Sequence, residues 1–585
     1  MTPRRSIRRR GDPSGGNDHF ASESAPSWPD HIPPLLRRVY MARGISDPEL
    51  ATPRLAQLPP PDGLLDIQAA TELLADAIGD GRRILVVGDF DADGATACAV
   101  AVRGLRMLGA RNVVHAVPNR QVHGYGLSPA LVEEVAALQP DLLLTVDHGI
   151  ACHAGVAAAR QRGWQVVVTD HHLPGEQLPD AHAIVNPNRS GDAFPAKALA
   201  GVGVVFYVLL ALRALLRGRG AFAGPAPDLA TLVDLVAVGT VADLVPLDAT
   251  NRALVAAGLR RLRAGRGSAG LQALIDVSGR DAGTLSAADI GYAVAPRLNA
   301  AGRLDDMALG IECLLCDAPG QAQELARTLD RINAERRQVQ ATMVEEAETA
   351  VAQCAIDSGD GEAPVAYCLH DPQWHPGVVG LVASKLKERT HRPVIAFAPA
   401  EPGSTLLRGS ARSIPGFHMR DALAAVDVSH PGLIERFGGH AMAAGLSLPA
   451  PSLERFEQAF CAQVAASLDE SLLQSLVHSD GELDPVEFDR HHAEALRDGG
   501  PWGQAFPEPV FDGEFDVVDW QRVGERHLRM RLQVPGRRLP LKAIHFGGWL
   551  DQPPASRLRL AFRLATDDWR GARDIQLVVE HLEPA

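Results

Sequence analysis

The segment between residues 80 and 190 alternates short apolar runs with Ala- and Leu-rich stretches. The apolar runs lie in RRILVVGDF, VVHAVPNR, DLLLTVDHG, WQVVVTDHH and AHAIVNPN. Continuous Val, Ile and Leu runs separated by helices are typical of a parallel sheet that is covered by helices on both faces. We therefore predict an α/β fold, in which ligands bind beyond the carboxyl ends of the strands.

Polar side chains follow several of these runs at that same end. They lie in GDFDADG, TVDHG and TDHH, and a later segment, LVDLVAVGTVADLVPL, adds two more acids. The residues concerned are Asp89, Asp91, Asp93, Asp147, His148, Asp170, His171, His172, Asp234 and Asp243. An isolated Asp-x-Asp is usually a solvated turn or a helix cap, but like charges gathered at one sheet edge repel unless a cation lies among them.

The types of these side chains indicate which cation and which chemistry to expect. Carboxylates and imidazoles without thiolates suit Mn²⁺ or Mg²⁺, with zinc as an alternative. Two such ions about 3.5–4 Å apart activate a water and stabilise the leaving oxygen in phosphoester hydrolysis. The sequence therefore predicts a centre for two ions at the edge of the sheet.

The rest of the chain has a different organisation. Residues 321–353 show apolar positions at helical spacing without Gly or Pro, which predicts one long connecting helix. A second α/β region follows, and from about residue 510 the pattern changes to period two, with arginines on one face. We expect a flexible N-terminal tail, a catalytic domain, a helical connector, a second α/β domain and a small β-barrel. Their predicted bounds are 1–45, 46–265, 266–355, 356–466 and 467–585.

Composition excludes several classes of protein. The net charge of −14 argues against nucleic-acid binding by the whole surface, although a local basic groove remains compatible with it. The sequence has no run of about 18 uninterrupted apolar residues, so we expect no membrane span. A secretory signal requires an apolar core after the N-terminal arginines, and none follows them. Seven cysteines form no disulfide framework, and the CxxC at Cys313 and Cys316 predicts buried thiols rather than a zinc site. A reducing cytoplasm fits this composition.

Several motifs together resemble a known family. DFDADG, NRQVHGYGL, TVDHG, TDHH and GTVADLVPL resemble the DHH phosphoesterase superfamily. APRLNAAGRL, FGGHAMAAG and FDGEFDVVDWQRVGERHLRMRL narrow the resemblance, over roughly residues 50–585, to the bacterial RecJ exonuclease family. The resemblance implies a DHH domain, a long helix, a DHHA1 domain and an OB-fold. It further implies 5′→3′ hydrolysis of single-stranded DNA to nucleoside 5′-monophosphates with two Mn²⁺ or Mg²⁺ ions.

The same resemblance implies a biological setting and a set of metal ligands. The expected setting is recombination and mismatch repair in the cytoplasm, by a monomer that works with single-strand-binding protein and a helicase. The metal ligands matched by motif are Asp91, Asp93, Asp147, His171 and Asp243, with Asp147 as the bridge between two ions. His172 matches the histidine that contacts the scissile phosphate. Related pyrophosphatases carry a ligand histidine where this chain has Val87, so either Asp89 replaces it or the first metal site is weaker.

The resemblance also suggests substrate contacts outside the metal centre. Ser410 and Arg412 in RGSARS resemble the family's pocket for a 5′-phosphate. His123 stands where the family often has an acid, a change expected to affect DNA contact more than chemistry. The other candidates lie in matched motifs or on the cationic barrel face, and for the arginines in the motifs the alternative is a surface or interdomain ion pair. These candidates are Arg120, Arg297, Asn299, Arg303, His440, Arg529 and Arg531.

Two other functions compete with the exonuclease. One is a DHH phosphodiesterase acting on short oligonucleotides or cyclic dinucleotides, and such proteins resemble only the first two domains. The other is a catalytically silent DNA-binding scaffold, which would have lost metal ligands. The core motifs of this chain retain every acid and both histidines, so the sequence favours the exonuclease.

Overall fold

The computed structural model describes residues 5–10, 28–120, 122–357, 364–534, 536–549, 552–567 and 574–585. These residues divide into two compact units. The first unit contains residues 28–333 together with Asp489–Pro509. The second unit contains the N-terminal strand, Ala334–Phe488 and the described residues of Val510–Ala585.

Part of the predicted N-terminal tail is a β-strand. Strand β1 (Arg5–Arg9) pairs in parallel with Ser475–Ser479, and its central residue, Ile7, is buried. The partner strand lies more than 400 residues away in the sequence, so a local pattern could not reveal the pairing.

A second part of the predicted tail is a helix, α1 (Pro34–Met41). It buries Tyr40, whose hydroxyl donates a hydrogen bond to the carbonyl of Gly499 at 2.8 Å. The prediction of a flexible tail over residues 1–45 is therefore wrong for β1 and α1. Residues 1–4 and 11–27 of that predicted tail lie outside the described residues.

The part of the first unit between residues 67 and 263 alternates strands and helices, as predicted from the apolar runs. Its strands are β2 (Ile84–Val87), β3 (Val113–Ala116), β4 (Leu142–Val146), β5 (Gln165–Thr169) and β6 (Ala183–Val185). Its helices are α2 (Ile67–Gly79), α3 (Ala92–Met107), α4 (Pro129–Val135), α5 (His153–Gln161), α6 (Gly201–Gly218), α7 (Val233–Ala242) and α8 (Ala249–Arg263).

The five strands form one parallel sheet in the order β3-β2-β4-β5-β6. Every residue of β2 and β4 is buried, which explains why these strands appear in the sequence as continuous apolar runs. The order reverses between β2 and β4, because β3 lies on one side of β2 and the later strands lie on the other. Ligand sites in such sheets lie at this switch point, beyond the carboxyl ends of the strands.

Helix α6 is a long, apolar helix of the first unit. By length and composition alone it could cross a membrane, but 61% of that stretch is buried inside the protein. It packs against α2 and α3, and a Cβ atom at Gly104 would lie only 2.4 Å from the Leu209 side chain of α6. These contacts identify α6 as a core helix.

The predicted connector over residues 266–355 divides into two parts. Its first part packs within the first unit as α9 (Ala269–Val277), α10 (Ala287–Asp289), a π-helical turn (Ile290–Val294), α11 (Ala295–Leu304) and α12 (Ala308–Leu315). The remainder is one long helix, α13 (Pro319–Asp357), which confirms the helix predicted over 321–353.

The second α/β region has a mixed sheet in the order β10-β11-β9-β8-β7. Its strands are β7 (Tyr367–His370), β8 (Val394–Pro399), β9 (Leu406–Arg412), β10 (Arg436–Gly439) and β11 (Ala443–Pro449). Its helices are α14 (Val379–Thr390), α15 (Met419–Ser429) and α16 (Leu453–Ser467), and the core between sheet and helices includes Phe397, Phe456 and Phe460.

The C-terminal strands form a closed barrel in the order β13-β14-β15-β17-β16, as the period-two pattern predicted. The elements of this region are β12 (Ser475–Ser479), α17 (Arg490–Asp498), β13 (Phe511–Val523), β14 (His527–Gln533), β15 (Leu541–His545), β16 (Arg557–Asp567) and β17 (Asp574–Pro584). Residues Leu528, Met530 and Leu532 of β14 are buried, while Arg529 and Arg531 are exposed. The predicted domain 467–585 is interrupted, because Asp489–Pro509 belongs to the first unit.

Short 3₁₀ helices complete the described secondary structure. They are Pro48–Leu50, Leu55–Gln57, Pro61–Gly63, Ala136–Leu138, Leu229–Leu232, Ala282–Thr284, Ala450–Ser452, Glu470–Leu473 and Pro485–Glu487.

The first prediction concerns the attachment of β1 to the barrel. The Arg9 guanidinium donates to both oxygens of the buried Asp512, with Nε–Oδ1 at 3.0 Å and Nη2–Oδ2 at 2.9 Å. Arg9→Ala should lower the free energy of unfolding of the second unit by about 1–2 kcal/mol, because Arg559 still partners Asp512. Arg8→Ala, on the opposite face of the strand, is the control. Equal urea midpoints for the two variants would contradict this role of Arg9.

Candidate metal centre

The first group of carboxylates lies in the loop between β2 and α3. Asp91 is the N-cap of α3, and its Oδ1 accepts a hydrogen bond from the Gly94 amide at 3.0 Å. The loop folds so tightly that a Cβ atom at Gly94 would lie 2.5 Å from the Asp89 nitrogen. This turn brings the Asp89 and Asp91 side chains to the carboxyl end of β2, at the switch point of the sheet.

Asp93 is held by the N-terminus of α6. Its two carboxylate oxygens accept hydrogen bonds from the Gly201 amide at 2.7 Å and the Val202 amide at 3.1 Å. Amides at a helix N-terminus have no intrahelical partner, and the helix dipole favours negative charge there. The side chain of Asp93 is thereby fixed in a buried position.

Asp147 follows β4 directly and has a left-handed backbone conformation, with φ of 67°. Such a conformation is unfavourable for a residue other than glycine and is found preferentially at functional sites. A Cβ atom at Gly201 would lie 2.4 Å from Asp147 Oδ1, so a glycine is required where α6 meets this residue. The backbone strain and the required glycine both serve to position one buried carboxylate.

His171 and Asp243 complete the cluster from two further elements. His171 follows β5, and its Nε2 lies 3.2 Å from Asp147 Oδ1 and 3.5 Å from Asp243 Oδ2. Asp243 is the C-cap of α7. Three sets of side chains have ligand atoms within 4.8 Å of one another, and Asp147 is a member of two. These sets are Asp89, Asp91 and Asp147; Asp93, His171 and Asp243; and Asp147, His171 and His172.

The electrostatics of this cluster favour a bound cation. Burial, followed by the charge of Asp91, raises the pKa of Asp89 to about 8 and that of Asp93 to about 7. Burial and the neighbouring Asp93 also raise the pKa of Asp147 and Asp243 well above the usual range. Within the described residues, Asp89 Oδ1, Asp147 Oδ1 and His171 Nε2 make no hydrogen bond, although the last two atoms lie within ion-pair distance of each other. Buried carboxylate oxygens and an imidazole nitrogen left without partners fit Mn²⁺ or Mg²⁺ as ligands.

Val87 occupies the position where related pyrophosphatases carry a ligand histidine. Its side chain is buried in β2, and Asp89 lies within ligand distance of Asp91 and Asp147. This geometry supports the alternative in which Asp89 replaces the missing histidine.

His172 has a different environment from its neighbour His171. Its Nδ1 lies 2.8 Å from an oxygen of Asp170, which also accepts hydrogen bonds from the His171 and His172 amides. Burial alone would lower the pKa of His172, but the hydrogen bond with Asp170 raises it to about 9. This raised pKa favours the imidazolium form of His172, which suits a phosphate oxygen.

The structure assigns supporting roles to two residues of the strand-end motifs. Asp170 positions His172, a role that its place in TDHH did not reveal. His148 is fully buried, and its Nε2 hydrogen-bonds the carbonyl of Val87 at 3.0 Å. Burial lowers the pKa of His148 to about 4, so it is a neutral link between β2 and the end of β4.

Asp234 does not join the metal cluster. It lies near the N-terminus of α7, whereas Asp243 caps the C-terminus of the same helix. Nine residues of α-helix separate them, or about 14 Å at 1.5 Å per residue.

Arg120 and Tyr125 lie beside the loop that carries the first carboxylates. The Arg120 guanidinium lies over the Phe90 ring at 4.1 Å from its centroid and contributes favourable charge to Asp89. The Tyr125 ring meets both Phe90 and His172 edge to face, and half of the residue is exposed. Tyr125 was not among the predicted site residues, although it lies in the GYGL segment. Arg120 and Tyr125 flank the centre on the side of Asp89.

The predicted substrate contacts on α11 have structural partners. Arg297 is buried, and its Nη2 forms an ion pair with Asp330 at 2.8 Å. Asn299 Oδ1 accepts a hydrogen bond from the Ala92 amide at 2.8 Å, which fixes the loop between β2 and α3. The geometry thus supports the ion-pair alternative for Arg297 and a positioning role for Asn299 instead of DNA contact. Arg303 lies half-exposed in the last turn of α11.

In the second unit, Ser410 and Arg412 lie on the same face of β9. Arg412 Nη1 donates to Ser410 Oγ at 2.9 Å, and its Nε donates to Ser384 Oγ at 3.1 Å. A Cβ atom at Gly380, in the first turn of α14, would lie 2.8 Å from the Arg412 guanidinium. Burial lowers the pKa of Arg412, and no carboxylate among the described residues forms an ion pair with it. A partly buried guanidinium beside a hydroxyl and a helix N-terminus suits an anion.

The remaining candidates are exposed in the second unit. His440 lies in the turn between β10 and β11, where its amide donates to the carbonyl of Ala443 at 2.8 Å. Arg529 lies opposite Gln521 and Ile544, and Arg531 lies opposite Asp519 and Lys542. The face carrying these two arginines is accessible to a ligand.

Three families of known domains match this chain, in the same order as the domains of the structure. Residues 83–240 match the family described as "DHH family, N-terminal domain", residues 361–466 match the DHHA1 domain, and residues 479–581 match the RecJ OB domain. These matches agree with the expected order of catalytic domain, second α/β domain and barrel.

Similar proteins match along nearly the whole chain. The single-stranded-DNA-specific exonuclease RecJ of Dickeya dadantii is 52% identical over 569 residues, which cover 95% of this chain and 97% of that protein. The protein of the same name from Escherichia coli is 48% identical over 563 residues, with the same coverage of each chain. The crystal structure of RecJ in complex with Mn²⁺ from Thermus thermophilus superposes with a TM-score of 0.79 at 32% identity, covering 95% of this chain and 76% of that one. The chain therefore belongs to the RecJ family of single-stranded-DNA-specific exonucleases.

Proposed function

We propose that this protein degrades single-stranded DNA from the 5′ end and releases nucleoside 5′-monophosphates, with two Mn²⁺ or Mg²⁺ ions. The observation that carries the proposal is the carboxylate cluster at the switch point, in which Asp147 belongs to two ligand sets. When bound, two divalent cations supply activation of water and stabilisation of charge for phosphoester hydrolysis. Neither alternative function is favoured, because the family match includes the RecJ OB domain and the metal-binding side chains are present.

The protein's own residues provide the other elements of this reaction. Asp89, Asp91 and Asp147 would hold one ion, while Asp93, His171 and Asp243 would hold the other with Asp147 as bridge. Cationic His172, held by Asp170, would bind a non-bridging oxygen of the scissile phosphate. Arg120 would neutralise a nearby backbone phosphate through its bidentate guanidinium.

Recognition of the strand belongs to the second unit in this proposal. The Ser410–Arg412 pocket would bind the 5′-phosphate, because a terminal phosphate carries more charge than an internal one. Arg529 and Arg531 on the barrel would contact successive phosphates further along the strand. His440 and Arg303 are proposed as additional phosphate contacts from their matched motifs. We further propose that the enzyme acts as a cytoplasmic monomer in recombination and mismatch repair, with single-strand-binding protein and a helicase as partners.

The catalytic centre is tested by Asp147→Ala. This substitution should reduce digestion of 5′-labelled single-stranded DNA in Mn²⁺ by about a hundredfold or more, since it removes the shared ligand. Metal-free stability should be unchanged or higher, because like-charge repulsion is relieved. Asp62→Ala, an exposed acid of the same unit, is the matched control. Retention of more than about a tenth of wild-type activity by the folded Asp147 variant would contradict the proposed role.

A second prediction concerns the pH dependence of stability in the metal-free protein. Asp89 and Asp93 have folded-state pKa values of about 8 and about 7, above the unfolded value of about 3.9. The folded state therefore holds extra protons, and the stabilisation they provide is lost as pH rises toward 8. The unfolding temperature in chelator should fall between about pH 5 and pH 8, and Asp89→Asn should make this fall shallower.

Addition of Mn²⁺ provides the internal comparison for that experiment. Because the cation replaces the protons as the compensating charge, it should raise the unfolding temperature more at pH 8 than at pH 5. Identical pH profiles for wild type and Asp89→Asn would show that Asp89 does not carry the raised pKa.

The third prediction of this group concerns the choice of the 5′ end. Arg412→Ala should reduce initiation on 5′-phosphorylated single strands by about ten- to a hundredfold, since charge-assisted hydrogen bonds are worth roughly 1.5–3 kcal/mol. Initiation on 5′-hydroxyl strands should change little, so the initial rate on phosphorylated strands should fall toward the rate on hydroxyl strands. Arg408→Ala, on the same face of β9, is the matched control. If the Arg412 variant keeps the wild-type ratio, the 5′-phosphate binds elsewhere.

A further inference from the structure

A cavity lined by polar and apolar side chains lies in the first unit, apart from the carboxylate cluster. It has a volume of about 350 Å³ and is lined by residues of α3, α7, α8, the segment after α8, the 3₁₀ helix before α7 and the end of α12. The polar lining residues that matter here are Arg103, Arg106, Asp234, Arg261, Arg266 and Ser268. Its volume lies at the lower end of the range typical of small-molecule sites, which suits one small ligand rather than a strand.

Three buried polar atoms of this lining have no hydrogen-bond partner among the described residues. They are Asp234 Oδ1, Ser268 Oγ and Arg261 Nε. Asp234 is only 1% exposed, and its other oxygen accepts a hydrogen bond from the Ser268 amide at 2.6 Å. A buried polar atom without a partner costs free energy, and three such atoms around one cavity indicate a ligand with complementary groups.

The charged side chains of the lining indicate the charge of that ligand. Four guanidinium groups face the cavity, and the two carboxylates are those of Asp234 and Asp317. Asp317 is already paired with Arg103, with 2.8 Å between Oδ1 and Nη1. Arg106 and Arg266 are exposed at the rim, and the Arg261 side chain contacts the carbonyl of Arg266 through Nη2 at 2.7 Å. The surplus of guanidinium groups favours an anion, and their planar geometry matches phosphate.

We propose that this cavity binds a nucleoside monophosphate. Arg106, Arg261 and Arg266 would hold the phosphate. Asp234 would accept a hydrogen bond from an amino group of the base or a hydroxyl of the sugar, contacts that carboxylates make in nucleotide recognition. Ser268 Oγ would complete the polar contacts beside Asp234. A ligand with a phosphate at one end and hydrogen-bond donors at the other satisfies both the arginines and the buried carboxylate.

The cavity and the metal centre lie at opposite ends of the same two helices. Helix α3 has Asp93 in its first turn and Arg106 in its last, 13 residues or about 20 Å further along. Helix α7 has Asp234 at the cavity and is capped by Asp243 at the metal centre. Binding in the cavity should therefore require neither metal nor an empty catalytic centre.

The proposal is tested by calorimetric titration of the full-length protein with GMP and with CMP in the presence of EDTA. The wild-type protein should bind GMP, and Arg261→Ala and Arg266→Ala should each weaken that binding about ten- to a hundredfold, while CMP reports whether the cavity discriminates between bases. Arg260→Ala, an exposed neighbour on α8 outside the lining, should leave the affinity unchanged. Because GMP carries a 5′-phosphate, it should also bind the Ser410–Arg412 pocket. Arg412→Ala should remove only that second binding event and keep the one that Arg261→Ala weakens, which separates the two sites.

Two further titrations identify which parts of the nucleotide are bound. Inorganic phosphate and guanosine should each bind at least about tenfold more weakly than GMP, because each satisfies only one end of the cavity. Asp234→Asn should weaken GMP but not inorganic phosphate. Absence of binding to the wild type, full affinity in Arg266→Ala, or equal affinity for inorganic phosphate and GMP would each overturn the proposal. Arg266 is exposed, so its variant remains informative even if Arg261→Ala or Asp234→Asn fails to fold.

Discussion

Mutual repulsion among buried carboxylates is the constraint on which this structure depends. Asp89, Asp93 and Asp147 are nearly inaccessible to solvent and lie close together, so folding without a cation keeps protons on them. The surrounding chain fixes them instead of relaxing them apart. The α6 amides hold Asp93, and the contact of Gly201 with Asp147 leaves no room for a side chain. The fixed carboxylates lower the stability of the metal-free protein, but they hold the cation site in its binding geometry.

Local sequence patterns predicted those elements of the fold that depend only on residues close together in the sequence. Buried parallel strands require continuous apolar runs, and the carboxyl ends of such strands meet at one edge, so the sheet and its acids followed from the sequence. The alternation in β14 likewise predicted which residues face the barrel core and which face solvent. The family resemblance supplied the ligand set, and the structure brings all of its members together.

The parts that could not be predicted depend on partners distant in the sequence. Arg297 lies in a motif that suggests a phosphate contact, but Asp330, two helices further on in α13, pairs with it. Asn299 resembles a substrate ligand until its bond to the Ala92 amide is known. Strand β1 pairs with β12, and Asp489–Pro509 joins the first unit although both its neighbours in sequence belong to the second. No periodicity within these segments encodes such contacts.

In the first unit, acidic and basic side chains are separated along the helices, which the net charge of the chain does not show. Although the protein carries a charge of −14, α3 begins with Asp91 and Asp93 and has Arg103 and Arg106 in its later turns. Acids at a helix N-terminus and arginines near its C-terminus both interact favourably with the helix dipole, so α3 is stabilised at each end. Helix α7 runs between the same two regions but ends on Asp243, which the dipole disfavours. A cation bound to Asp243 would stabilise that unfavourable end of α7. The stability of the packed helices α3 and α7 therefore depends on whether the metal centre is occupied.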